Sequence, residues 1–253
     1  IQICYEVNME QKEYAIKIEN LTKKYYFFEK DYKILKWLFT GKGFYKYKKA
    51  ISNLSFQVNK GDVVGIIGKN GSGKSTLMQI VAGITYPTGG KIDINGSVGA
   101  LINLSAGFNM DYTGRENIYY KGMLMGFKNN EIDEMIEPIK DFVELKEYFD
   151  LPLRMYSSGM SARLGLALAI YSNPDILIVD EVFAVGDKDF QNKSKEKMKE
   201  LFRSGKSILF SSHSEKLIAD FCHKVLYLKE GKLVFYGDVE KGLKIYNEDI
   251  IKG

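Results

Sequence analysis

The chain has few of the residues that build cross-linked or metal-bound folds. Its 253 residues include two cysteines, two histidines and four prolines. Two cysteines, Cys4 and Cys222, are too few for a disulfide scaffold, and neither has partners at metal-ligand spacing. These shortages argue against a disulfide-stabilised secreted domain and against a structural zinc site. We expect both thiols to be buried or free in a reducing cytoplasm.

Long apolar runs and a strong charge imbalance are also lacking. No stretch approaches the roughly 20 apolar residues of a membrane span, and no signal-peptide pattern is visible. We therefore expect a soluble or peripheral protein. The net charge of +4 is by itself too small to indicate a nucleic-acid partner. With 45% hydrophobic residues, the chain can bury a large core as one globular domain, with room for a subdomain.

The first residues carry no recognisable pattern. Residues 1–13 show no apolar periodicity, and the chain does not begin with methionine. We interpret them as an N-terminal extension in which Met9 is the natural start and the preceding eight residues derive from cloning.

The most specific pattern is the stretch VVGIIGKNGSGKST, residues 63–76. An apolar strand precedes it, an apolar-periodic helix follows it, and residues 68–75 fit the spacing G-x-x-x-x-G-K-[ST]. In such a loop, backbone N–H groups and a helix N-terminus surround a phosphate. Lys74 would reach the β- and γ-phosphates and the Ser75 hydroxyl would ligate Mg²⁺. The alternative is a glycine-rich turn that ends in Lys-Ser by chance. The residues assigned to the nucleotide are Gly68, Lys69, Asn70, Gly71, Ser72, Gly73, Lys74, Ser75 and Thr76.

Two later strands end in residues suited to phosphate chemistry. An apolar run, 176–179, leads into Asp180 and Glu181, at the strand end where open α/β sheets bind ligands. One carboxylate could hold Mg²⁺ through water while the other orients an attacking water. The alternative is a pair of solvated acids. A second apolar run, 208–210, precedes His213, which could reach a γ-phosphate, although a lone histidine is more often a surface or core imidazole.

A helical block is predicted between the strands. Thr113 and Glu116 form a capping-box pattern, and helical periodicity continues to residue 125 and again over 131–148. A further helix follows the segment YSSGM, residues 156–160. We interpret residues 113–170, approximately, as a helical insertion between sheet strands.

Residues 27–49 interleave lysines with aromatic and aliphatic residues and contain few acids. A helix over Tyr32–Phe39 could present apolar residues on one face and lysines on another. Three interpretations remain open. The insert could contact an anionic membrane interface, it could be an ordinary hairpin with packed aromatics and solvated lysines, or it could bind nucleic acid.

In combination, these motifs resemble the nucleotide-binding subunit of ATP-binding-cassette (ABC) transporters. The resemblance extends from about Ile16 to Tyr246 and includes the phosphate loop, YSSGM, the strand that ends in Asp-Glu, the following AVGD and the strand that ends in histidine. GALINLSAGFN, TGRENI and the basic insert resemble the subfamily that exports lipid-linked polysaccharides such as O-antigen, teichoic acid or capsule. This implies an α/β fold over residues 14–253: a P-loop NTPase core of ABC type with an antiparallel β subdomain and the helical block as a subdomain.

The resemblance also implies roles by position. Tyr25 would stack on adenine, Asp180 would act on Mg²⁺, Glu181 would be the general base and His213 the γ-phosphate sensor. Asp187 would make a contact across a dimer. The signature residues Ser157 and Gly159 would bind the γ-phosphate of the ATP held by a second copy. Asn103 lies where the family has a glutamine that senses Mg²⁺, and its shorter side chain weakens that assignment.

The partners follow from the same resemblance. It implies ATP and Mg²⁺, a homodimer with two composite ATP sites, two copies of a multispanning transmembrane permease, and a lipid-linked polysaccharide as cargo. The protein would lie on the cytoplasmic face of the membrane, and no nucleic acid is expected. Two alternatives stay open: a soluble ABC ATPase that acts on nucleic acid or ribosomes, and an exporter subunit for another lipid-linked cargo.

Overall fold

The computed structural model describes residues 13–27, 46–102, 104, 106–180, 186–212 and 214–252. The strands are β1 (Tyr14–Phe27), β2 (Lys46–Asn59), β3 (Val63–Ile67), β4 (Gly89–Ile94), β5 (Val98–Leu101), β6 (Ile176–Asp180), β7 (Ser207–Ser211), β8 (Lys224–Lys229) and β9 (Lys232–Gly237). The helices are α1 (Lys74–Val81), α2 (Gly114–Leu124), α3 (Asn129–Val143), α4 (Ser158–Tyr171), α5 (Lys188–Phe202), α6 (Glu215–Phe221) and α7 (Val239–Lys252). Short 3-10 turns cover Lys146–Asp150 and Leu153–Met155. The expected helix over 32–39 and residues 1–12 lie outside the described residues.

The larger sheet has the order β5-β6-β7-β3-β8-β9. Its first five strands are parallel and β9 runs antiparallel to β8. The β3 strand is short, entirely apolar and fully buried, as expected when both faces of a parallel sheet are covered. Because the strands are parallel, their C-terminal ends share one edge of the sheet. That edge holds the phosphate loop and Asp180.

The core divides between the two faces of this sheet. On one face, Val64 and Ile66 pack in a cluster with Leu77 and Met78 of α1 and with the apolar residues of β1 and β2. On the other face, Val63 and Ile67 belong to a second cluster, built mainly from α3, α4 and α5. The alternation along β3 therefore places the sheet between two layers.

A smaller antiparallel sheet has the order β2-β1-β4. Strands β1 and β2 pair from Tyr14 opposite Asn59 to Phe27 opposite Lys46. Pairing of β4 with β1 ends at Thr22, so the two longer strands continue beyond it as a ribbon. Both ends of the basic insert take part in this pairing. Phe27 ends β1 and residues 46–49 begin β2, so cross-strand pairing extends into the lysine-rich sequence.

In the sequence, the helices α2, α3 and α4 come between β5 and β6. These two strands are neighbours in the larger sheet. The capping box at α2 is confirmed: Thr113 Oγ1 accepts from the Glu116 N–H at 3.1 Å, and Glu116 Oε2 accepts from the Thr113 N–H at 2.8 Å. None of the described helices is both long and apolar enough to cross a membrane.

One predicted helix end was wrong. Helix α3 stops at Val143 instead of continuing to residue 148, because Glu144 takes a left-handed conformation with φ 55° and ends the helix. Strand β5 ends at Leu101, where its pairing with β6 ends.

Candidate nucleotide-binding site

The loop between β3 and α1 is shaped by glycines in left-handed conformations. Gly71 has φ 78° and Gly73 has φ 107°. A Cβ atom on Gly73 would lie 2.5 Å from the Ala50 carbonyl oxygen of β2, whereas one on Gly71 would meet nothing within 4 Å. The loop is therefore packed tightly against the smaller sheet at Gly73 and open to its surroundings at Gly71.

The ammonium of Lys74 is folded into this loop. The residue is only 9% exposed, and its Nζ donates to the Gly68 carbonyl at 2.6 Å and to the Lys69 carbonyl at 3.3 Å. A buried positive charge that is surrounded by the backbone of a loop favours the binding of an anionic ligand. Ser72 is also buried, and among the described residues its Oγ has no hydrogen-bond partner. Both features fit a site completed by phosphate.

The C-terminal ends of β3, β6 and β7 are in register at this edge of the sheet. Asp180 of β6 is in register with Ser211 of β7, which is in register with Ile66 of β3. Adjacent strands lie about 4.8 Å apart, so Asp180 and Ile66 are separated by roughly 10 Å across two spacings. Asp180 therefore lies on the edge from which the phosphate loop starts two residues after Ile66.

Three of the expected site residues lie outside the described structure. They are Asn103, Glu181 and His213, so their roles stay predictions. In the sequence, Glu181 directly follows Asp180, and His213 comes two residues after Ser211.

The signature segment opens helix α4. Ser157 is its N-cap, with Oγ accepting from the Met160 N–H at 3.2 Å, and Gly159 lies in the first turn. Both residues line a cleft of about 430 Å³, together with residues 144–148, Arg163 and Asp187. The open N-terminus of α4 thus faces the same cleft as Asp187.

Both carboxylate oxygens of Asp187 are engaged within the chain. Oδ1 accepts from the Phe190 N–H at 3.0 Å and caps α5, and Oδ2 accepts from Arg163 Nη2 at 2.5 Å. The hydrogen bond from Phe190, followed by the one from Arg163, lowers the pKa of the Asp187 carboxyl. A direct side-chain contact from Asp187 to another subunit would compete with these two bonds.

Tyr25 lies on the ribbon beside the phosphate loop. It pairs across the ribbon with Lys48, two residues before the Ala50 whose carbonyl lies against Gly73. Its ring is 42% exposed, and the Lys23 ammonium lies 5.0 Å from the ring centroid. The exposed ring is therefore on β1, the strand paired with the one that borders the loop, a position compatible with adenine stacking.

One neighbour of the loop had no signal in the sequence. Asp249 of α7 accepts hydrogen bonds from the Tyr227 hydroxyl and from Lys229 Nζ, the latter at 2.7 Å. These bonds, with Lys229 contributing most, lower the pKa of Asp249. Together with Lys69 and Gly71, these side chains border a cavity of about 350 Å³. The contact arises from the packing of distant segments, which no local pattern reveals.

Similarity to known proteins extends over most of the chain. Residues 51–184, more than half of it, match the family described as ABC transporter. The chain is 44% identical over 239 residues to the teichoic acids export ATP-binding protein TagH of Bacillus anthracis, which covers 94% of this chain and 43% of that protein. The TagH of Enterococcus faecalis is 42% identical, with 93% and 53% covered. The TagH of Staphylococcus haemolyticus is 38% identical, with 92% and 88% covered.

The chain thus spans about half the length of the Bacillus and Enterococcus relatives and most of the Staphylococcus one. Among solved structures, a dimeric ATP-binding cassette in a post-hydrolysis state bound to ADP and Pi is 21% identical, with a TM-score of 0.69 over 88% of this chain and 98% of that chain. An ATP-binding subunit of an ABC transporter is also 21% identical, with a TM-score of 0.72 over 92% and 93%. These structures have the same fold. The chain therefore belongs to the ABC transporter family, and it is similar to ATP-binding proteins named for teichoic acids export.

Proposed function

We propose that the chain binds and hydrolyses ATP and so drives the export of a lipid-linked polysaccharide of teichoic acid type across the cytoplasmic membrane. The main observation behind this proposal is the phosphate loop, with Lys74 folded into it, at the sheet edge that also carries Asp180. The names of relatives that are 38–44% identical support the polysaccharide cargo.

Each step has a candidate group in this chain. The backbone of residues 68–76 and the Lys74 ammonium would hold the phosphates, and Tyr25 would stack on adenine. Glu181 would orient the attacking water, and His213 would contact the γ-phosphate. Mg²⁺ would neutralise charge on the phosphate oxygens; hydroxyl and carboxylate oxygens suit it, so Ser75, Asp180 through water and Asn103 are the proposed ligands.

A second copy would complete the site. The helix N-terminus at Ser157 and Gly159 opens into a cleft, which supports the proposal that it binds a nucleotide held by another subunit. A homodimer would then form two composite ATP sites that close when ATP binds and reopen after hydrolysis.

A transmembrane permease is the proposed membrane partner, in two copies, with this chain on the cytoplasmic face. Helix α2 and its flanking loops expose large apolar side chains, including an edge-to-face pair of Tyr112 and Tyr120 with ring centroids 5.9 Å apart. The exposed members of this surface are Met110, Tyr112, Tyr120, Met123, Leu124 and Met125. Several exposed large apolar side chains on one helix and its flanking loops are typical of a protein interface.

The deciding experiment expresses Glu181→Gln in the source cells and measures lipid-linked glycan inside the cells and polymer at the surface. We expect lipid-linked glycan to accumulate while the surface polymer falls. Glu134→Gln, a change at an exposed position of α3, is the matched control and should leave both pools normal. Normal pools in an ATPase-dead Glu181→Gln strain would exclude polysaccharide export and point to another cargo or process.

A further inference from the structure

The ribbon formed by β1 and β2 presents one face that the nucleotide site does not use. Tyr26 pairs directly with Tyr47, and Lys24 pairs with Lys49. Because side chains alternate along a strand, these four residues share a face, and Tyr25 belongs to the opposite one. We call this set, Lys24, Tyr26, Tyr47 and Lys49, the lysine–aromatic face.

The aromatic rings of this face contact each other but remain exposed to solvent. Tyr26 and Tyr47 are 54% and 50% exposed, although their centroids lie only 6.0 Å apart at an interplanar angle of 62°. The Lys24 ammonium lies 4.8 Å from the Tyr47 centroid. Within the described residues, these exposed rings lie beside cations on the part of the ribbon that extends beyond β4, where a binding partner could reach them.

The ribbon is held in a defined position relative to the rest of the domain. The Lys24 N–H donates to Thr88 Oγ1 at 2.9 Å, and Lys23 Nζ donates to Thr85 Oγ1 at 2.7 Å. Both threonines lie in the segment between α1 and β4. The base of the ribbon is therefore attached to the segment that follows the phosphate-loop helix.

The charge of the ribbon end has one sign. Residues 23–27 and 46–49 contain lysines and no aspartate or glutamate. Tyrosine prefers the headgroup level of a bilayer, where its ring contacts apolar lipid and its hydroxyl contacts water. Lysines near the membrane surface are attracted to anionic lipids. The net charge of +4 does not by itself indicate a nucleic-acid partner, so these side chains suit a membrane surface better than a nucleic acid.

We propose that the lysine–aromatic face binds the anionic phospholipid headgroups of a membrane surface directly. The contact requires neither a permease nor ATP, and it does not depend on which cargo is exported. It would bring the strand that carries Tyr25 next to the bilayer, with Tyr25 on the other face of the same ribbon.

Vesicle flotation with the purified protein tests this proposal. We expect binding to vesicles that contain phosphatidylglycerol in phosphatidylcholine, little binding to phosphatidylcholine alone, and a loss of binding as salt rises. The variants Lys24→Glu/Lys49→Glu and Tyr26→Ser/Tyr47→Ser should each reduce the bound fraction at least roughly tenfold. ATP affinity should stay unchanged, since Tyr25 and the phosphate loop are intact.

Two controls match the change in charge and the loss of an aromatic ring. Lys216→Glu/Lys232→Glu alters two exposed lysines elsewhere, and Tyr86→Ser removes a tyrosine that is 83% exposed. Both should bind vesicles like the wild type. Equal binding to uncharged vesicles, wild-type binding by the face variants, or binding to single-stranded RNA without binding to anionic vesicles would each overturn the proposal. None of these results would affect the ATPase test with Glu181→Gln.

Discussion

Asp187 connects the signature helix to the helix that follows the Asp180 strand. Its Oδ2 accepts from Arg163 Nη2 at 2.5 Å, and its Oδ1 caps α5. The Arg163 guanidinium also lies 4.6 Å from the centroid of the Phe190 ring, and its side chain is mostly buried. The start of α5 and the middle of α4 are therefore held together by one charged side chain, next to the cleft that Ser157 and Gly159 line.

Breaking this connection should lower turnover more than nucleotide affinity. In Arg163→Ala, the segment that leads from Asp180 to Asp187 loses its attachment to α4, so the proposed general base and signature residues lose their alignment. We expect ATP turnover to fall about tenfold or more, equivalent to about 1.4 kcal/mol in the barrier, with ATP affinity unchanged. Steady-state kinetics and equilibrium nucleotide binding measure the two quantities separately.

The control for that variant is Arg115→Ala. Arg115 pairs with Asp150 at 2.9 Å, and neither residue lines the Asp187 cleft, so this change should affect turnover little. If Arg163→Ala keeps wild-type turnover, the Arg163–Asp187 pair does not align the site.

Removing the Lys74 ammonium should impair ATP binding itself. Charge-assisted hydrogen bonds contribute roughly 1.5–3 kcal/mol, so Lys74→Ala should weaken ATP binding at least about tenfold. Titration with a fluorescent ATP analogue measures this, and Lys91→Ala, a change at an exposed lysine of β4, is the control. Unchanged affinity in Lys74→Ala would remove the loop from the nucleotide site.

The ring of Tyr25 should contribute to affinity through the base. Stacking of a base on an aromatic ring is worth roughly 1–3 kcal/mol, so Tyr25→Ala should weaken ATP binding by about five- to a hundredfold, while Tyr25→Phe retains it. Tyr26→Ala is a close control, because Tyr26 is the next residue but points to the opposite face of the ribbon. Equal effects at both positions would argue against adenine stacking by Tyr25.

Two glycines of the phosphate loop should differ in their tolerance of a side chain. Both have positive φ, so replacing either with alanine costs about 1–2 kcal/mol of backbone strain. In Gly73→Ala, the new Cβ also meets the Ala50 carbonyl oxygen at 2.5 Å, whereas Gly71→Ala meets nothing within 4 Å. Urea unfolding should therefore show a larger loss of stability for Gly73→Ala. Equal losses would contradict the packing of the loop against β2.

The Cys222 thiol should react slowly in the native protein. The residue is buried, and burial raises the pKa of this thiol to about 12. At pH 8 the native thiol is therefore neutral, whereas an unfolded cysteine, with a pKa near 8.5, is partly ionised. In a Cys4→Ser background, labelling with a thiol-specific disulfide reagent should be slow in buffer and fast in urea. Fast labelling in buffer would contradict the burial of Cys222 between the sheet and α6.

Several features of this protein could be predicted from short stretches of sequence. The phosphate loop, the capping box at Thr113 and the apolar strand that ends at Asp180 each depend on neighbouring residues, so a local pattern is sufficient. The polysaccharide-exporter subfamily was also recognisable from ordered motifs, and the relatives confirm it. The helices α5, α6 and α7 and the strands β8 and β9 were not predicted, because their apolar positions match no such motif.

Only the tertiary structure decided which distant residues meet. The sequence supplied the composition of the site, namely a glycine-rich loop, a lysine, and carboxylates at a strand end, since these follow from residue type and spacing. The structure determined that β7 lies between β3 and β6, so that Ile66 and Asp180 are both in register with Ser211. It also determined that Asp187 binds Arg163. It also showed that the ribbon separates Tyr25 from Tyr26 and Tyr47. Strand order, register and long-range hydrogen bonds depend on how the whole core packs, and local sequence does not encode them individually.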